Sequence, residues 1–308
     1  VLIIAGPTGS GKSALAFALA RALGGVIINA DSMQLYRELR VLTARPTPED
    51  EATVPHRLYG ILDAAEACSV GRWLDLALAE LAACRAMRRL AIVVGGTGLY
   101  LKALTEGLSR LPVIPPEIRR ETRRLFDDVG EAAFRALLAE RDPLAARQRL
   151  DRQRLLRAFE VVTATGQSLA TWHERHPPVP PLDQRVGRLI LMPPRPALYA
   201  TLDRRFDAMI QAGALNEVRA LIALGLDPGL PAMKALGVRD LASHLQGDVP
   251  LPTAIDAAKQ ATRRYAKRQM TWFRHQVPDA TVINEQYSER NRDVVCTFIR
   301  QRLLTCCA

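Results

Sequence analysis

The chain has 308 residues, 48% of them hydrophobic, enough for one large domain or two small ones; this excludes wholesale disorder. A net charge of +10 and an isoelectric point near 9.8 favour a polyanionic partner such as nucleic acid over an acidic protein. No apolar run approaches the roughly 20 residues that span a bilayer, and no signal segment is evident, so no membrane span is expected.

Residues 1–5 form a short apolar run that reads as a buried first strand. They lead into Gly6-Pro7-Thr8-Gly9-Ser10-Gly11-Lys12-Ser13, and residues 12–23 follow as an amphipathic helix rich in Ala and Leu. A Gly, four residues and then Gly-Lys-Ser, placed between strand and helix, is the pattern of a phosphate-cradling loop. Its backbone N–H groups turn inward on an anion, and the helix adds the positive end of its dipole. Lys12 can reach terminal phosphate oxygens, and the Ser13 hydroxyl can ligate Mg²⁺.

A second strand over 26–30 ends at Asp31-Ser32-Met33-Gln34. In an open parallel sheet this places Asp31 on the same carboxyl edge as the phosphate loop. Asp31 reads either as a general base or water-mediated Mg²⁺ partner, or as a helix cap. Gln34 could pair with an adenine edge. Residues 37–59 read as loop. Ser69 can cap a helix running to about Arg88, with Val70, Trp73, Leu74, Ala77, Leu78 and Leu81 on one face. A third strand over 90–94 ends in Gly95-Gly96-Thr97-Gly98, either a tight turn or a site where Thr97 bonds to substrate. This βα alternation predicts an α/β fold.

From about Pro112 the pattern is helical and rich in arginine, as far as the linker-like Pro177-Pro178-Val179-Pro180-Pro181. The division expected is an α/β core over 1–112 and 186–308, with an all-helical insertion over 113–185. Within the insertion Gln153 and Arg157 share a helix face and Arg154 adjoins it; Arg119, Arg120, Arg123 and Arg124 form a second basic run. These faces are either solvated or set against phosphates. A strand over 188–193, helices over about 198–224 and 253–275, a short strand over 281–284 and a terminal helix over 285–308 complete the reading. On the helix after 253, Arg264, Lys267 and Arg268 cluster on one side, and Tyr265, Gln269, Trp272 and Phe273 on another. Cys68, Cys84, Cys296, Cys306 and Cys307 show no metal-ligand spacing, so a reducing, cytoplasmic compartment is expected.

Taken together, the loop 6–13, Asp31-Ser32-Met33-Gln34-Leu35-Tyr36, the segment 43–47, Pro55-His56, Gly95-Gly96-Thr97-Gly98-Leu99-Tyr100, residues 153–157 with Glu160 and Thr165-Gly166, Arg205 with Met209 and Gly213, residues 234–239, and the block 265–274 resemble the tRNA dimethylallyltransferases (tRNA isopentenyltransferases). The resemblance covers nearly the whole chain. It implies a P-loop NTPase-like parallel sheet flanked by helices, and transfer of a dimethylallyl group from dimethylallyl diphosphate to N6 of the adenine next to the anticodon on its 3′ side. By the same resemblance Asp31 is the base, Lys12, Ser13, Arg205 and the loop hold the diphosphate with Mg²⁺, and Thr97 contacts substrate. The helical insertion is expected to grip the anticodon stem-loop. The tRNA contacts implied are Asp31, Ser32, Met33, Gln34, Thr97, Arg119, Gln153, Arg154, Leu155, Leu156 and Arg157, with Lys234, Ala235, Leu236, Gly237, Val238 and Arg239. Thr201 and Val238 depart from the family pattern, where Arg and an aromatic residue are frequent. No zinc-finger pattern follows, which points to the bacterial type; a monomer is expected. A small-molecule P-loop kinase, an adenylate isopentenyltransferase and a non-catalytic RNA-binding module are the rival readings. The arginine-rich helical stretch weighs against the first two, and Asp31 with the intact Lys12-Ser13 pair weighs against the third.

Overall fold

The computed structural model describes residues 1–109, 111–182, 186–277 and 279–288. Among them, β1 Leu2–Ala5, β2 Val26–Asn29, β3 His56–Arg57, β4 Ala91–Gly95, β5 Gly187–Leu191 and β6 Thr281–Ile283 form one parallel sheet, ordered β3-β2-β4-β1-β5-β6. The helices are α1 Lys12–Leu23, α2 Pro48–Thr53, α3 Val70–Ala86, α4 Gly98–Glu106, α5 Pro116–Arg141, α6 Pro143–Arg147, α7 Arg152–Thr165, α8 Leu169–Arg175, α9 Arg195–Gln211, α10 Ala214–Ala223, α11 Val238–Leu245 and α12 Leu251–Gln276. The protein is therefore of the α/β class. No helix among the described residues is long and apolar enough to cross a membrane.

The chain divides into two compact units: Val1–Leu104 with everything from Leu182 onward, and Thr105–Pro181. In the first, both faces of the sheet are covered, which is why its strands read as unbroken apolar runs. Leu2, Ile4, Ile27, Ile92 and Val94 pack with Leu15 and Leu19 of α1. Their strand neighbours Ile3, Val26, Ile28 and Val93 pack in a larger core with Trp73 of α3, Leu104 of α4, Phe206 of α9 and Met270 of α12. The second unit has its own core, in which the Phe134 ring lies 5.0 Å from that of Phe126 and 4.8 Å from that of Phe159.

Three local expectations change. The stretch 37–59 is not all loop. Thr47 and Asp50 cap α2 reciprocally, Asp50 N–H to Thr47 Oγ1 at 3.2 Å and Thr47 N–H to Asp50 Oδ2 at 3.0 Å, and β3 then pairs with β2. Two residues at a sheet edge carry no periodic signal that a sequence could show. The single helix expected over 198–224 is two, because Gly213 adopts φ 96° and caps the start of α10. Finally, of the expected helix over 285–308, residues 285–288 are irregular and 289–308 lie outside the described residues, as do Cys296, Cys306 and Cys307.

Register explains the placement of the loops. Ala5 sits opposite Gly95 and Ile190, and Asn29 opposite Val94, so the turns after β1, β2 and β4 leave the sheet side by side. Contact there is close enough that a Cβ on Gly95 would overlap the Ala30 carbonyl. Gly95→Ala should accordingly lower stability by about 1–3 kcal/mol, seen as a lower denaturant midpoint; an unchanged midpoint would show that these strand ends are less crowded.

Candidate active site

The loop 6–13 is organised from both sides. Ser10 N–H turns back to the Pro7 carbonyl at 3.2 Å, and Lys12 Nζ donates to the same oxygen at 3.3 Å. Thr8 N–H donates to Oε1 of Gln269 at 2.8 Å, while Gln269 Nε2 donates to the Gly96 carbonyl at 2.8 Å. The buried Gln269 of α12 thus ties the loop 6–13 to the Gly95–Gly98 turn. On the other flank, Gln286 Nε2 donates to the Gly9 carbonyl at 3.2 Å, and Tyr287 N–H to the Ser10 carbonyl at 3.3 Å. Thr201 supports this arrangement by donating to Gln286 Oε1 at 3.1 Å. The expectation that the whole run 6–13 offers amides to an anion therefore narrows. Pro7 has no N–H, Thr8 and Ser10 have spent theirs within the protein, and Gly9, Gly11, Lys12 and Ser13 carry the amides left to face a ligand at the start of α1.

Asp31 is held by its neighbours in sequence. The fully buried Asn29 accepts from Asp31 N–H at 2.8 Å, and its Nδ2 donates to the Asp31 carbonyl at 2.9 Å and the Leu58 carbonyl at 3.0 Å. The Asn29 carbonyl in turn accepts from Trp73 Nε1 at 2.9 Å. Asp31 Oδ1 accepts from Met33 N–H at 3.0 Å, which fixes the carboxylate plane and leaves Oδ2 for the cavity. Asp31 thus closes a local turn and lines a cavity, but it does not cap the short helix that follows, which Ser32 precedes. Thr97 Oγ1 accepts from Ser32 N–H at 3.0 Å and donates to Ser32 Oγ at 3.3 Å, so Thr97 links the ends of β2 and β4.

Asp31, Ser32 and Met33 border a cavity of about 300 Å³. Its polar lining includes Thr8, Asp31, Arg205, Tyr265 and Arg268, and its apolar lining includes Met33, Leu42, Leu202, Phe206, Met209 and Leu236. Charges interact across it. Burial pulls the Lys12 ammonium down from 10.5 to about 8, with Asp31 holding it up and Arg205 pushing it further down. Burial also lowers the Arg205 guanidinium, and Asp31 opposes that shift. Burial raises the Tyr265 phenol, and the Asp31 charge raises it further. A carboxylate and a guanidinium thus line one cavity, and both interact electrostatically with the buried ammonium of Lys12 at the start of α1, a set that can hold an anion and accept a proton.

Other expected contacts fall differently. The Gln34 amide faces away from the cavity lining, donating to the Thr43 and Ala44 carbonyls at 2.8 and 3.1 Å; with both donors engaged it cannot pair bidentately with an adenine edge. Leu155 and Leu156 are core residues of the helical unit, 0% and 8% exposed. Gln153 and Arg154 are exposed on α7, as is Arg119 on α5. Arg157 bonds to the buried Glu160 at 3.1 Å. In the run 234–239, Lys234, Ala235 and Leu236 reach the cavity and Arg239 is exposed, but Gly237 and Val238 are buried. Sequence reasoning overlooked Asn29 and Glu217 and gave Gln269 and Gln286 no role at the loop. Two of these carried a signal: Asn29 ends an all-apolar strand, and Gln269 interrupts the stripe Ala258, Ala266, Met270, Phe273.

The model of one protein family, described as IPP transferase, matches residues 34–276. The chain belongs to the IPP transferase family. Among its relatives, the tRNA dimethylallyltransferase of Paramagnetospirillum magneticum is 55% identical over 307 residues, covering 99% of this chain and 97% of the relative. That of Rhodospirillum centenum is 56% identical over 283 residues, covering 91% and 90%. Among solved structures, the full-length tRNA isopentenylpyrophosphate transferase of Bacillus halodurans is similar with a TM-score of 0.72 at 31% identity, covering 99% of this chain and 96% of that one. In this member of the IPP transferase family, then, the loop 6–13, Asp31, Thr97 and Arg205 lie together at one edge of the sheet.

Proposed function

We propose that this enzyme transfers the dimethylallyl group of dimethylallyl diphosphate to N6 of an adenine in the tRNA anticodon loop, the one adjoining the anticodon on its 3′ side. The observation that carries the reading is the cavity in which Asp31 lies within electrostatic reach of Lys12 and Arg205, at the mouth of the phosphate loop. The family, and the activity for which its close relatives are named, support the same chemistry.

The diphosphate is held by the amides of Gly9, Gly11, Lys12 and Ser13, with Lys12 and Arg205 supplying positive charge. As the bond between the allylic carbon and its oxygen breaks, the electron pair leaves with the diphosphate and these groups stabilise it. The adenine N6 lone pair, otherwise delocalised into the ring, forms the new bond to carbon. Its proton passes to Asp31 Oδ2, giving N6-dimethylallyladenine and free diphosphate. The adenine has to leave the loop stack to enter the cavity, as base-modifying chemistry requires. Mg²⁺ fits the donors present: the exposed Ser13 hydroxyl beside anion-facing amides suits a hard cation that keeps most of its water and takes phosphate oxygens. When bound it would neutralise charge on the departing diphosphate, held by Ser13.

The exposed basic residues Arg119, Gln153's neighbour Arg154, Lys234, Arg239 and Lys267 are the proposed phosphate contacts. Binding of an anticodon stem-loop should weaken by at least about tenfold between roughly 50 and 200 mM salt, measured by fluorescence anisotropy. A flat salt response would remove the basic surface from the account. The reading as a whole is tested by offering labelled dimethylallyl diphosphate with Mg²⁺ and either unmodified tRNA or free AMP. Label is expected on tRNA; label on AMP alone would make the enzyme an adenylate isopentenyltransferase instead.

A further inference from the structure

Glu217 lies on α10, outside the cavity lining, yet its carboxylate is bonded to the chain that forms part of the cavity wall. Oε2 accepts from Arg40 N–H at 2.8 Å and Val41 N–H at 2.7 Å, and Oε1 accepts from Leu42 N–H at 2.9 Å. Three successive amides thus converge on one side chain. The same segment is fixed from its other side. Gln34 Nε2 holds the Thr43 and Ala44 carbonyls, Ala44 N–H returns to the Val41 carbonyl at 3.0 Å, and Arg45 N–H to the Arg40 carbonyl at 3.0 Å. What this closed turn presents to the cavity is Leu42 and Thr43. Leu42 is buried, and packs so tightly that a Cβ on Gly237 would come within 3.2 Å of it.

We propose that Glu217 is a positioning residue for the nucleobase acceptor, setting through the 40–43 turn the wall against which the extruded base is held. The inference rests on the transferase reading above. In that reading the donor is anchored by its diphosphate at the start of α1, so the acceptor approaches Asp31 along the rest of the lining. That part of the lining includes Leu42, Thr43, Met209 and Lys234 to Leu236. A carboxylate suits the task because it offers two oxygens and no proton to three donors. Glutamine, of nearly equal size, offers one oxygen and turns an NH₂ group toward an amide that needs an acceptor. Without Glu217 the three N–H groups have to seek water, and the turn moves Leu42 and Thr43 with it.

The test is steady-state transfer by the full chain carrying Glu217→Gln or Glu217→Asp, varying an anticodon stem-loop and dimethylallyl diphosphate in turn. The KM for the stem-loop should rise by about tenfold or more, the loss expected when charge-assisted bonds are removed. The KM for dimethylallyl diphosphate should stay near that of the wild type, while the thermal midpoint falls modestly because the amides lose an acceptor. Because Asp keeps the charge but shortens the arm, it should show the same split to a lesser degree. Backbone amide exchange at residues 40–42 should speed up in both variants. An unchanged stem-loop KM, or an equal rise in both KM values, would reduce Glu217 to a purely structural role. Wild-type protein that transfers nothing to RNA would instead overturn the transferase reading, and this inference with it.

Discussion

Replacing Asp31 with asparagine should cut kcat by about 10²–10⁴-fold while stem-loop RNA still binds, because a base that accepts the N6 proton as the bond forms is worth that much. Asparagine is the discriminating choice. Its side-chain oxygen can still accept from Met33 N–H, so the turn built around Asn29 and Asp31 should survive. What disappears is the basic oxygen facing the cavity. Asp31→Ala should be as inactive and also lose the turn, so comparing the two separates proton acceptance from loop geometry. A further consequence concerns Lys12. The Asp31 charge opposes the burial that lowers this ammonium, so removing it should push the Lys12 pKa further down. Near-normal turnover in Asp31→Asn, measured with saturating substrates, would remove Asp31 from the base role.

Lys12→Met should cost about 10²–10³-fold in kcat, the scale associated with losing one preorganised donor to a developing negative charge. The expected pH dependence follows from the ammonium being lowered from 10.5 to about 8 by burial. Above that pH the loop loses its charge, so the KM for dimethylallyl diphosphate should climb as the pH passes about 8 in the wild type; this limb should be absent in Lys12→Met. Stability should move the other way. Between about 8 and 10.5 the folded chain binds fewer protons than the unfolded one, so stability rises with pH through that window. Below about 8 the penalty for burying this charge is present in full. Lys12→Met without ligand should therefore melt higher than the wild type at neutral pH, a gain in stability set against a loss of function. A lower melting temperature together with an unchanged pH limb would mean that Lys12 is neither desolvated nor engaged with the diphosphate.

What the sequence reveals and what it conceals have physical reasons. Strands β1, β2, β4 and β5 are legible because both faces of the sheet are covered and each strand carries a run of at least three buried apolar residues. β3 is not, because His56 and Arg57 owe their conformation to pairing with β2 and not to any local preference. α3 is legible down to its cap, Ser69 Oγ accepting from Arg72 N–H at 3.1 Å. The split between α9 and α10 hinges on Gly213, which a helical periodicity passes over. At the candidate site, the sequence places the loop 6–13 and Asp31 at the ends of β1 and β2, where the strands' apolar runs stop. Gln34 misleads because an amide suited to an adenine edge suits two backbone carbonyls equally well. Leu155 and Leu156 mislead because they sit within a basic run whose helix turns them into the core. Gln269 and Glu217 bond to segments 173 or more residues away along the chain, distances over which a single sequence carries no pairing signal.

The central claim is that the phosphate loop holds a leaving group while Asp31 delivers the adenine amine. The measurement that bears on it most directly is nucleoside analysis of tRNA incubated with the enzyme, Mg²⁺ and dimethylallyl diphosphate labelled in its hydrocarbon part, with released diphosphate quantified in parallel. The account predicts one labelled nucleoside, N6-dimethylallyladenosine from the position 3′ to the anticodon, formed in equal amount to diphosphate. Label at any other atom or nucleotide, or diphosphate released without transfer to RNA, would contradict it.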